Sequence, residues 1–326
     1  MKEQLITKKI LNWYDLNKRS LPWRKNVSFQ KRQYYTLVSE FMLQQTQVAT
    51  VIPYFNRFIK NIPNLKILAK VPNKKLIKLW EGLGYYSRAR NLKKTAQVVV
   101  KSFNTKLPNN FEDLKSLPGI GNYTASAILA IVFNKPYIPL DGNIERVLKR
   151  YLYLKKDKDI KKDNLIKKKF IFGTSSRSSD YAQALMELGA LICKPRNPLC
   201  NHCPISNNCM SLQKKDFDII KITKKNINKY FLLKVYKKDQ RYLLIKNTKF
   251  NFLKNLTIFP MEELPKQKNF NENLNFKLSN MNMNIKIKYL KKSGKFQEPY
   301  WVDKKKLDNY MLPSFTKKIV KYLERN

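Results

Sequence analysis

The chain has 326 residues, 43% of them hydrophobic, and this length accommodates two domains of ordinary size with a core each. Lysine and arginine number 66 against 23 acidic residues, and the formal charge of +43 suits a nucleic acid partner, although an AT-rich coding sequence would also raise the lysine content. No apolar run approaches the ~20 residues of a membrane span and the N-terminus has no apolar signal-peptide core, so we expect a cytoplasmic protein that does not enter a membrane.

Residues 1–212 are predicted to form a mostly helical domain. Turn-forming sequences such as VPN, LPNN, LPGIG, KPYIP and FGTSSRSSD separate the helices. The basic segment 154–170 is expected to be a solvated helix face or a loop. Apolar residues recur at helical spacing in Leu5–Trp13, Tyr34–Phe58, Leu76–Trp80, Ala89–Val100, Thr124–Phe133, Ile144–Leu154 and Tyr181–Ile192.

The composition changes after Cys209. Residues 213–226 have the character of a linker, and residues 227–326 are predicted to form a smaller α+β domain. Two apolar runs flank Lys-Lys-Asp-Gln in KYFLLKVYKKDQRYLLIKN, which indicates a β-hairpin. The domain is expected to end in a helix over Pro313–Leu323.

The sequence LPGIG lies between two predicted helices and is a candidate helix–hairpin–helix turn. Gly119 and Gly121 would let the backbone approach a partner closely and expose N–H groups at the start of the next helix. Such a group of N–H donors can bind one phosphate of a nucleic acid backbone. By itself the motif is weak evidence, because ordinary helix connections also use Gly and Pro.

All four cysteines of the chain fall within one short segment and have the spacing C-x₆-C-x₂-C-x₅-C: Cys193, Cys200, Cys203 and Cys209. A local cluster of thiols in a cytosolic protein indicates a metal site rather than disulfides. Paired zinc knuckles show two C-x₂-C halves with a longer spacer, whereas this uneven spacing favours a single [4Fe–4S] cluster. Four thiolates complete the ligand set, so His202 is interpreted as part of the loop and not as a ligand.

Two isolated carboxylates are candidates for acid–base chemistry. Glu40 is the only charged residue between Arg32 and Arg57, in a strongly apolar predicted helix, and a carboxyl group there should have a raised pKa. Asp141 precedes GNIERVL, where it could also serve as a helix cap. Cleavage of an N-glycosidic bond uses two such groups, one to protonate the leaving base and one to face the cationic sugar.

These motifs together resemble the helix–hairpin–helix, iron–sulfur DNA glycosylases. The matching sequences are LPGIGNYTASAI, LDGNIERVL and the cysteine segment, while SEFMLQQTQVATVIPYF and GLGYYSRARNL narrow the resemblance to the MutY-type adenine DNA glycosylases. The resemblance is dense from Leu21 to Cys209 and much weaker beyond residue 225. It implies a helical catalytic domain that carries the cluster and a smaller, Nudix-like α+β domain.

The resemblance also implies roles for individual residues. It assigns protonation of adenine at N7 to Glu40 and stabilisation of the sugar cation, through a transient covalent intermediate, to Asp141 with Asn143 nearby. The target base leaves the duplex first. Residues implied to enter the base stack or to contact the substrate and DNA are Gln45, Thr46, Tyr85, Trp23, Arg24 and Glu187.

Tyr123 opens the helix after the hairpin. Related glycosylases that also cut the strand resemble this sequence but carry a lysine at this position, whose amine forms a Schiff base with the sugar. A phenol cannot, so a monofunctional enzyme of base excision repair is expected, acting on A:8-oxoguanine or A:G in double-stranded DNA. The alternatives are an endonuclease III-type glycosylase/lyase and a DNA-binding scaffold without catalytic activity.

The sequence departs from the family in two places. The segment between Trp23 and Glu40, over residues 24–36, is a few residues longer than the family pattern. In the C-terminal domain, which senses 8-oxoguanine in the family, the short Phe-Ser-His element is Leu278, Ser279 and Asn280, so only the serine is kept. We expect a bacterial, nucleoid-associated monomer.

Overall fold

The computed structural model describes residues 2–155, 172–218, 226–265, 270–278, 280–291, 296, 299–304, 307 and 312–325. Contacts between Cα atoms divide the chain into two compact units. The first consists of Met1–Val71 and Ser87–Lys221, and the second of Pro72–Tyr86 and Ile222–Asn326. Most of the basic segment predicted as a solvated face or loop lies outside the described residues. The boundaries predicted from the sequence, at residues 212 and 226, stay a prediction.

Helices account for most of the first unit. Short 3₁₀ turns form at Pro22–Arg24, Cys200–His202 and Ser206–Asn208, and a π-helical turn follows one α-helix at Leu188–Ile192. In chain order the α-helices are α1 (Lys2–Asn17), α2 (Phe29–Leu43), α3 (Val48–Asn61), α4 (Leu65–Lys70), α5 (Asn73–Trp80), α6 (Ser87–Ser102), α7 (Phe111–Ser116), α8 (Asn122–Ile131), α9 (Gly142–Tyr151), α10 (Ser178–Glu187), α11 (Met210–Gln213) and α12 (Ser314–Leu323).

The helix predicted over Tyr34–Phe58 is wrong as a single element. The structure forms α2 and α3 there, separated by a turn at Gln44–Gln47. Gln45 has a positive φ of 58°, which no α-helix accommodates. The sequence carries no Gly or Pro at this break, so the apolar periodicity continued across it without interruption.

A hydrophobic core of the first unit holds α9 in place. Its fully buried members include Ile10 of α1, Ile144 and Leu148 of α9, and Leu185 of α10. The apolar residues of α9 recur at three- and four-residue spacing, so burial of one face orients the whole helix. As a result Asp141 lies at the N-terminal end of a helix that the core holds in place.

In its described residues the second unit contains two four-stranded sheets. One has the order β5–β1–β7–β6 with β1 and β7 parallel, and in the other β3 pairs with β2, β4 and β8. Buried side chains of both sheets and of α12 form a shared core that includes Phe231, Phe259, Ile285 and Ile319. The strands are β1 (Ile227–Val235), β2 (Lys237–Lys238), β3 (Arg241–Lys246), β4 (Thr257–Ile258), β5 (Met261–Leu264), β6 (Leu274–Leu278), β7 (Met281–Tyr289) and β8 (Pro299–Asp303).

The hairpin predicted around Lys-Lys-Asp-Gln forms only close to its turn. Lys237 pairs with Tyr242 and Lys238 with Arg241, so β2 and β3 are antiparallel neighbours. The first apolar run instead forms β1, which pairs with β5 and β7 in the other sheet. Local sequence shows the turn but not the partner of a strand, because β1 pairs with residues distant in the chain. The helix predicted at the C-terminal end is confirmed as α12.

Among the described residues, no helix combines the length and the apolar character that crossing a membrane requires.

Candidate active site

A cleft of about 1030 Å³ opens in the first unit, which is large enough for a nucleotide. Side chains and backbone from α2, the loops before and after it, and the starts of α8 and α9 form its walls. The structure brings together here most of the residues that the sequence predicted to act on substrate, namely Trp23, Arg24, Glu40, Gln45, Thr46, Tyr123, Asp141, Asn143 and Glu187.

Glu40 lies on the buried face of α2 and is only 5% exposed. The pKa of its carboxyl group is raised from 4.5 to about 7. Burial is the main cause and the nearby Asp141 adds to it, while a hydrogen bond from the Tyr123 hydroxyl and the charge of Arg24 act in the opposite direction. The Oε2 atom is buried and has no hydrogen-bond partner in the described part of the structure. Glu40 can therefore hold a proton near neutral pH on an oxygen that no other group occupies.

Asp141 is the N-cap of α9. Its Oδ1 accepts hydrogen bonds from the backbone N–H groups of Asn143, at 3.0 Å, and Ile144, at 2.7 Å, and its Oδ2 accepts one from the Asn143 side chain at 2.9 Å. The pKa of Asp141 is raised overall, because the effect of burial exceeds that of these hydrogen bonds, which lower it. The carboxylate is held by these hydrogen bonds and still lines the cleft, so it caps the helix and remains accessible from the cleft.

Arg146 connects this carboxylate to the cysteine segment. Its Nη2 donates to Asn143 Oδ1 at 2.9 Å and to the Gly189 carbonyl at 2.6 Å, and its Nε donates to the Cys193 carbonyl at 2.7 Å. Gly189 permits this close packing, because a Cβ atom there would lie 2.5 Å from Asn143 Cβ. The orientation of Asn143, and through it that of Asp141, thus depends on residues close to the cysteines.

Glu187 lies at the end of α10 and is fully buried. Arg19 donates two hydrogen bonds to its carboxylate, from Nε at 2.7 Å and from Nη2 at 2.8 Å. Arg24 Nη2 forms an ion pair with Oε1 of the same carboxylate at 2.9 Å. Two guanidinium groups compensate the buried charge. Arg24 also has a buried Nε without a hydrogen-bond partner in the described structure, so one of its donors in the cleft wall is available to a ligand.

The predicted hairpin joins α7 to α8. Gly119 has a φ of +81°, and a Cβ atom there would lie 2.8 Å from Asn91 Cβ, so this position requires glycine. Gly121 is the N-cap of α8, has open space around it, and no side chain caps the helix. The first N–H groups of α8 therefore remain accessible to an anion.

The other predicted contacts differ in how the structure places them. Trp23 packs edge-on against Phe55 with ring centroids 5.3 Å apart. Tyr85 belongs to the second unit, is 49% exposed and has a positive φ of 47°. Ser279 lies outside the described residues. In the lengthened segment Ser28 caps α2 by accepting a hydrogen bond from Lys31 N at 3.5 Å.

The four cysteines line one small cavity together with Arg150, Ile192 and Phe217. The pKa of the Cys203 thiol is raised to about 12, chiefly by burial and also by the charges of the neighbouring cysteines. No three Cys, His, Asp or Glu side chains in the described ranges meet closely enough to hold a single metal ion. Because the thiols surround a common space instead of converging on a point, they fit a group with several iron atoms better than one zinc ion.

The model of the HhH-GPD superfamily of base excision DNA repair proteins matches residues 38–170. The adenine DNA glycosylase of Buchnera aphidicola subsp. Baizongia pistaciae is 42% identical over 263 residues, which cover 77% of this chain and 72% of that protein. The chain belongs to the adenine DNA glycosylase family. Membership confirms the resemblance inferred from the motifs and makes the protein a DNA glycosylase of base excision repair, a hydrolase of N-glycosidic bonds.

More distant relatives agree with this family of adenine DNA glycosylases. The human adenine DNA glycosylase is 40% identical over 216 residues, which cover 63% of this chain and 39% of that protein. A thermostable thymine-DNA glycosylase of known structure superimposes with a TM-score of 0.57 at 26% identity and covers 65% of this chain and 97% of its own. Endonuclease III, trapped as a covalent intermediate with DNA, gives a TM-score of 0.54 at 21% identity over 66% of this chain and 99% of its own, which supports the fold.

Two arginines of this adenine DNA glycosylase homologue were not singled out by the sequence. Arg19 and Arg146 both hold acidic or amide side chains of the cleft, but each is one of 66 basic residues in the chain. Arg146 lies four residues before Arg150 and five after Asp141, and its position on α9 was the only available indication. Neither burial nor partners can be inferred from that spacing.

Proposed function

We propose that the protein removes adenine paired with 8-oxoguanine or guanine from double-stranded DNA and leaves the strand intact. The observation that carries this proposal is a buried carboxyl group with a pKa near 7, Glu40, in the same cleft as a second, fixed carboxylate, Asp141. Cleavage of a glycosidic bond uses one protonated carboxyl group, which donates a proton to the leaving base, and one ionised carboxylate, which faces the sugar.

Glu40 acts as the general acid. Adenine leaves poorly as an anion, so its N7 must gain a proton while the bond to the sugar breaks. A carboxyl group with a pKa near the working pH is the most effective donor, since it is both protonated and acidic enough. The hydrogen bond from Tyr123 keeps the carboxyl group oriented and leaves Oε2 for the base.

Asp141 stabilises the positive charge that develops on the sugar. Its three hydrogen bonds hold it as a carboxylate in one orientation, and Asn143 and Arg146 extend this support. In the proposed sequence the Asp141 carboxylate forms a transient bond to C1′ of the sugar, and water then displaces it. The proton gained by adenine comes from Glu40, which recovers one from that water.

Tyr123 supports hydrolysis without strand cleavage. It lies at the start of α8 and contacts Glu40. In this proposal it is therefore close to the reacting sugar. Strand cleavage by elimination begins with an amine that forms a Schiff base, and a phenol has no such chemistry.

Backbone and base contacts to DNA are distributed over several elements. Gly119 and Gly121 present the N–H groups of α8 to one phosphate. Gln45, Thr46 and Tyr85 enter or border the base stack where adenine leaves it. Trp23, Arg24 and Glu187 form the pocket that receives the base, and the unpaired donor of Arg24 supports this role.

The cysteines Cys193, Cys200, Cys203 and Cys209 would hold a [4Fe–4S] cluster, which supplies a rigid cross-link of the loop. Arg150 supports this assignment, since its Nη1 lies 3.5 Å from Cys193 Sγ and donates to the Lys194 carbonyl at 2.6 Å. The second unit, with Ser279, contributes to the preference for 8-oxoguanine. We place the protein at the nucleoid as a monomer.

The proposal is tested with duplexes that carry A:8-oxoguanine, A:G, A:T or a thymine-glycol pair, each incubated with purified protein and analysed with and without hot alkali. Loss of adenine from the first two, with strand breaks only after alkali, is the expected result. Strand breaks without alkali, or action on thymine glycol alone, would assign the protein to the glycosylase/lyase class. Binding without release of any base would assign it to the scaffolds.

A further inference from the structure

The turn after α2 contains a strained residue. Gln44 has φ −54° and ψ 109°, Gln45 has a φ of 58°, and Thr46 N donates to the Leu43 carbonyl at 3.1 Å. This is the geometry of a type II turn, whose third position normally holds Gly or Asn. A glutamine in this conformation brings its Cβ atom close to the backbone, which is sterically unfavourable, so other contacts must hold the turn.

Arg88, at the start of α6, makes those contacts. Its Nη1 donates to the carbonyl oxygens of Phe41, at 3.2 Å, Met42, at 2.7 Å, and Gln44, and its Nη2 donates to Thr46 Oγ1 at 3.1 Å. The side chain is 6% exposed. The guanidinium therefore binds the backbone before Gln45 and the side chain after it, and spans the strained residue.

The position of the charge shows which element gains from it. A cation in the first turn of α6 is unfavourable to the dipole of its own helix, whereas at the C-terminal end of α2 it neutralises carbonyl groups that have no helical partner. The same helix α2 carries Glu40. Arg88 thus stabilises the end of α2 and the turn together.

Packing of the Gln45 side chain does not compensate for its unfavourable backbone conformation. It is exposed, and it lines the cleft beside Thr46. A glycine would fit the turn without strain, yet the position carries an amide side chain that makes no hydrogen bond to the described residues. An exposed and strained polar residue at the edge of a cleft is typical of a position that contacts a ligand.

We infer that Arg88 is a positioning residue, which holds Gln45 in the left-handed conformation that presents its amide to the duplex. The inference rests on the proposed function, because Gln45 matters only where DNA is opened at this cleft. Arg88 itself does not touch the reacting atoms.

A double-mutant cycle tests this role. The variants Arg88→Gln, Gln45→Ala and the combination are compared by single-turnover excision of adenine opposite guanine, and by the fluorescence of 2-aminopurine placed at the target position. Each single substitution should slow excision by about 10- to 100-fold, since a small misplacement of a positioning group has effects of this size. The double variant should be no slower than Gln45→Ala alone, and both readouts should show the same coupling.

Two further variants keep the test decisive if Arg88→Gln folds poorly. Thr46→Val removes the bonds of Thr46 Oγ1 to Arg88 Nη2 and to the Gln44 carbonyl, and it leaves the bonds from Arg88 to the carbonyl oxygens in place. It should therefore slow excision several-fold with Gln45 present and have no effect in the Gln45→Ala protein. Lys94→Gln removes an exposed charge from the same helix and should leave both readouts unchanged.

The inference would be overturned if the effects of Arg88→Gln and Thr46→Val simply added to the effect of Gln45→Ala. Arg88 would then be only a structural cap of α2. Failure of the unmodified protein to release adenine would instead contradict the proposed function. In that case the coupling in 2-aminopurine fluorescence still decides the role of Arg88, because opening of the duplex precedes cleavage of the bond.

Discussion

Substitution of Glu40 by glutamine should separate catalysis from binding and also change how stability depends on pH. The amide keeps the shape of the side chain but cannot deliver a proton, so excision should fall by about 10²-fold or more while duplex binding is retained. Excision by the unmodified protein should fall progressively above about pH 7, because only protonated Glu40 acts, and it should also fall at acidic pH. Asp141, which must be ionised, causes the decline on the acidic side.

The stability change follows from the same pKa. Glu40 titrates at 4.5 in an unfolded chain and at about 7 in the folded protein, so between these values the folded state holds a proton that the unfolded state has released. Stability therefore falls as the pH rises, by about 3 kcal/mol in total and by about 2 kcal/mol between pH 5.5 and pH 8.5. Glu40→Gln removes this dependence. The free energy of unfolding of the variant, relative to that of the unmodified protein, should therefore rise by about 2 kcal/mol between pH 5.5 and pH 8.5.

Denaturant unfolding at the two pH values measures the change, and a pH profile of single-turnover excision measures the activity. Glu145→Gln is the matched control, because Glu145 is a partly exposed carboxylate on α9 that pairs with Lys149. It should alter neither profile. Near-native excision by Glu40→Gln, or a stability difference that is the same at both pH values, would refute the assignment of a buried, protonated acid.

The other predictions concern the hairpin, the cysteines and the packing around Asn143. Tyr123→Lys should introduce strand cleavage that borohydride traps as a protein–DNA adduct, whereas Tyr123→Phe should not, and absence of any adduct would place this residue away from the sugar. Purified protein should be yellow-brown with four irons per chain; Cys200→Ser should lose iron and His202→Ala keep it, and stoichiometric zinc would contradict the cluster. Gly189→Ala should destabilise the protein by about 1–3 kcal/mol and slow excision, because its Cβ would lie 2.5 Å from Asn143 Cβ. Gly142→Ala, which has open space around it, should leave stability unchanged, and equal stability of the two variants would show that Gly189 has room for a methyl group.

Chemistry that depends on residue type and local spacing was predictable from the sequence. The four thiols, the two carboxylates and the Gly119–Gly121 turn stand out because few residues of their kind occur nearby, and the structure brings both carboxylates into one cleft. The family and the general fold followed from the order of these motifs.

Features that depend on burial or on distant partners were not predictable. Arg19, Arg88 and Arg146 resemble the many solvated basic residues of the chain until the structure shows their guanidinium groups bound to carbonyl and carboxylate oxygens. The break between α2 and α3 is bound by Arg88, which lies more than 40 residues later in the chain. The parallel pairing of β1 with β7 likewise joins strands that no local pattern connects.

The discontinuity of the second unit affects how the protein is made. Pro72–Tyr86 belongs to the same compact unit as Ile222–Asn326, and Glu81 at the end of α5 lies 2.7 Å from Lys317 of α12. On the ribosome this segment emerges long before the strands and α12 are synthesised, so Glu81 has no Lys317 to pair with until the end of the chain has been translated. A fragment ending at residue 221 would carry the segment without the rest of its compact unit. Chaperones and proteases recognise segments that lack their native contacts, so this unit is complete only when both of its parts have been made.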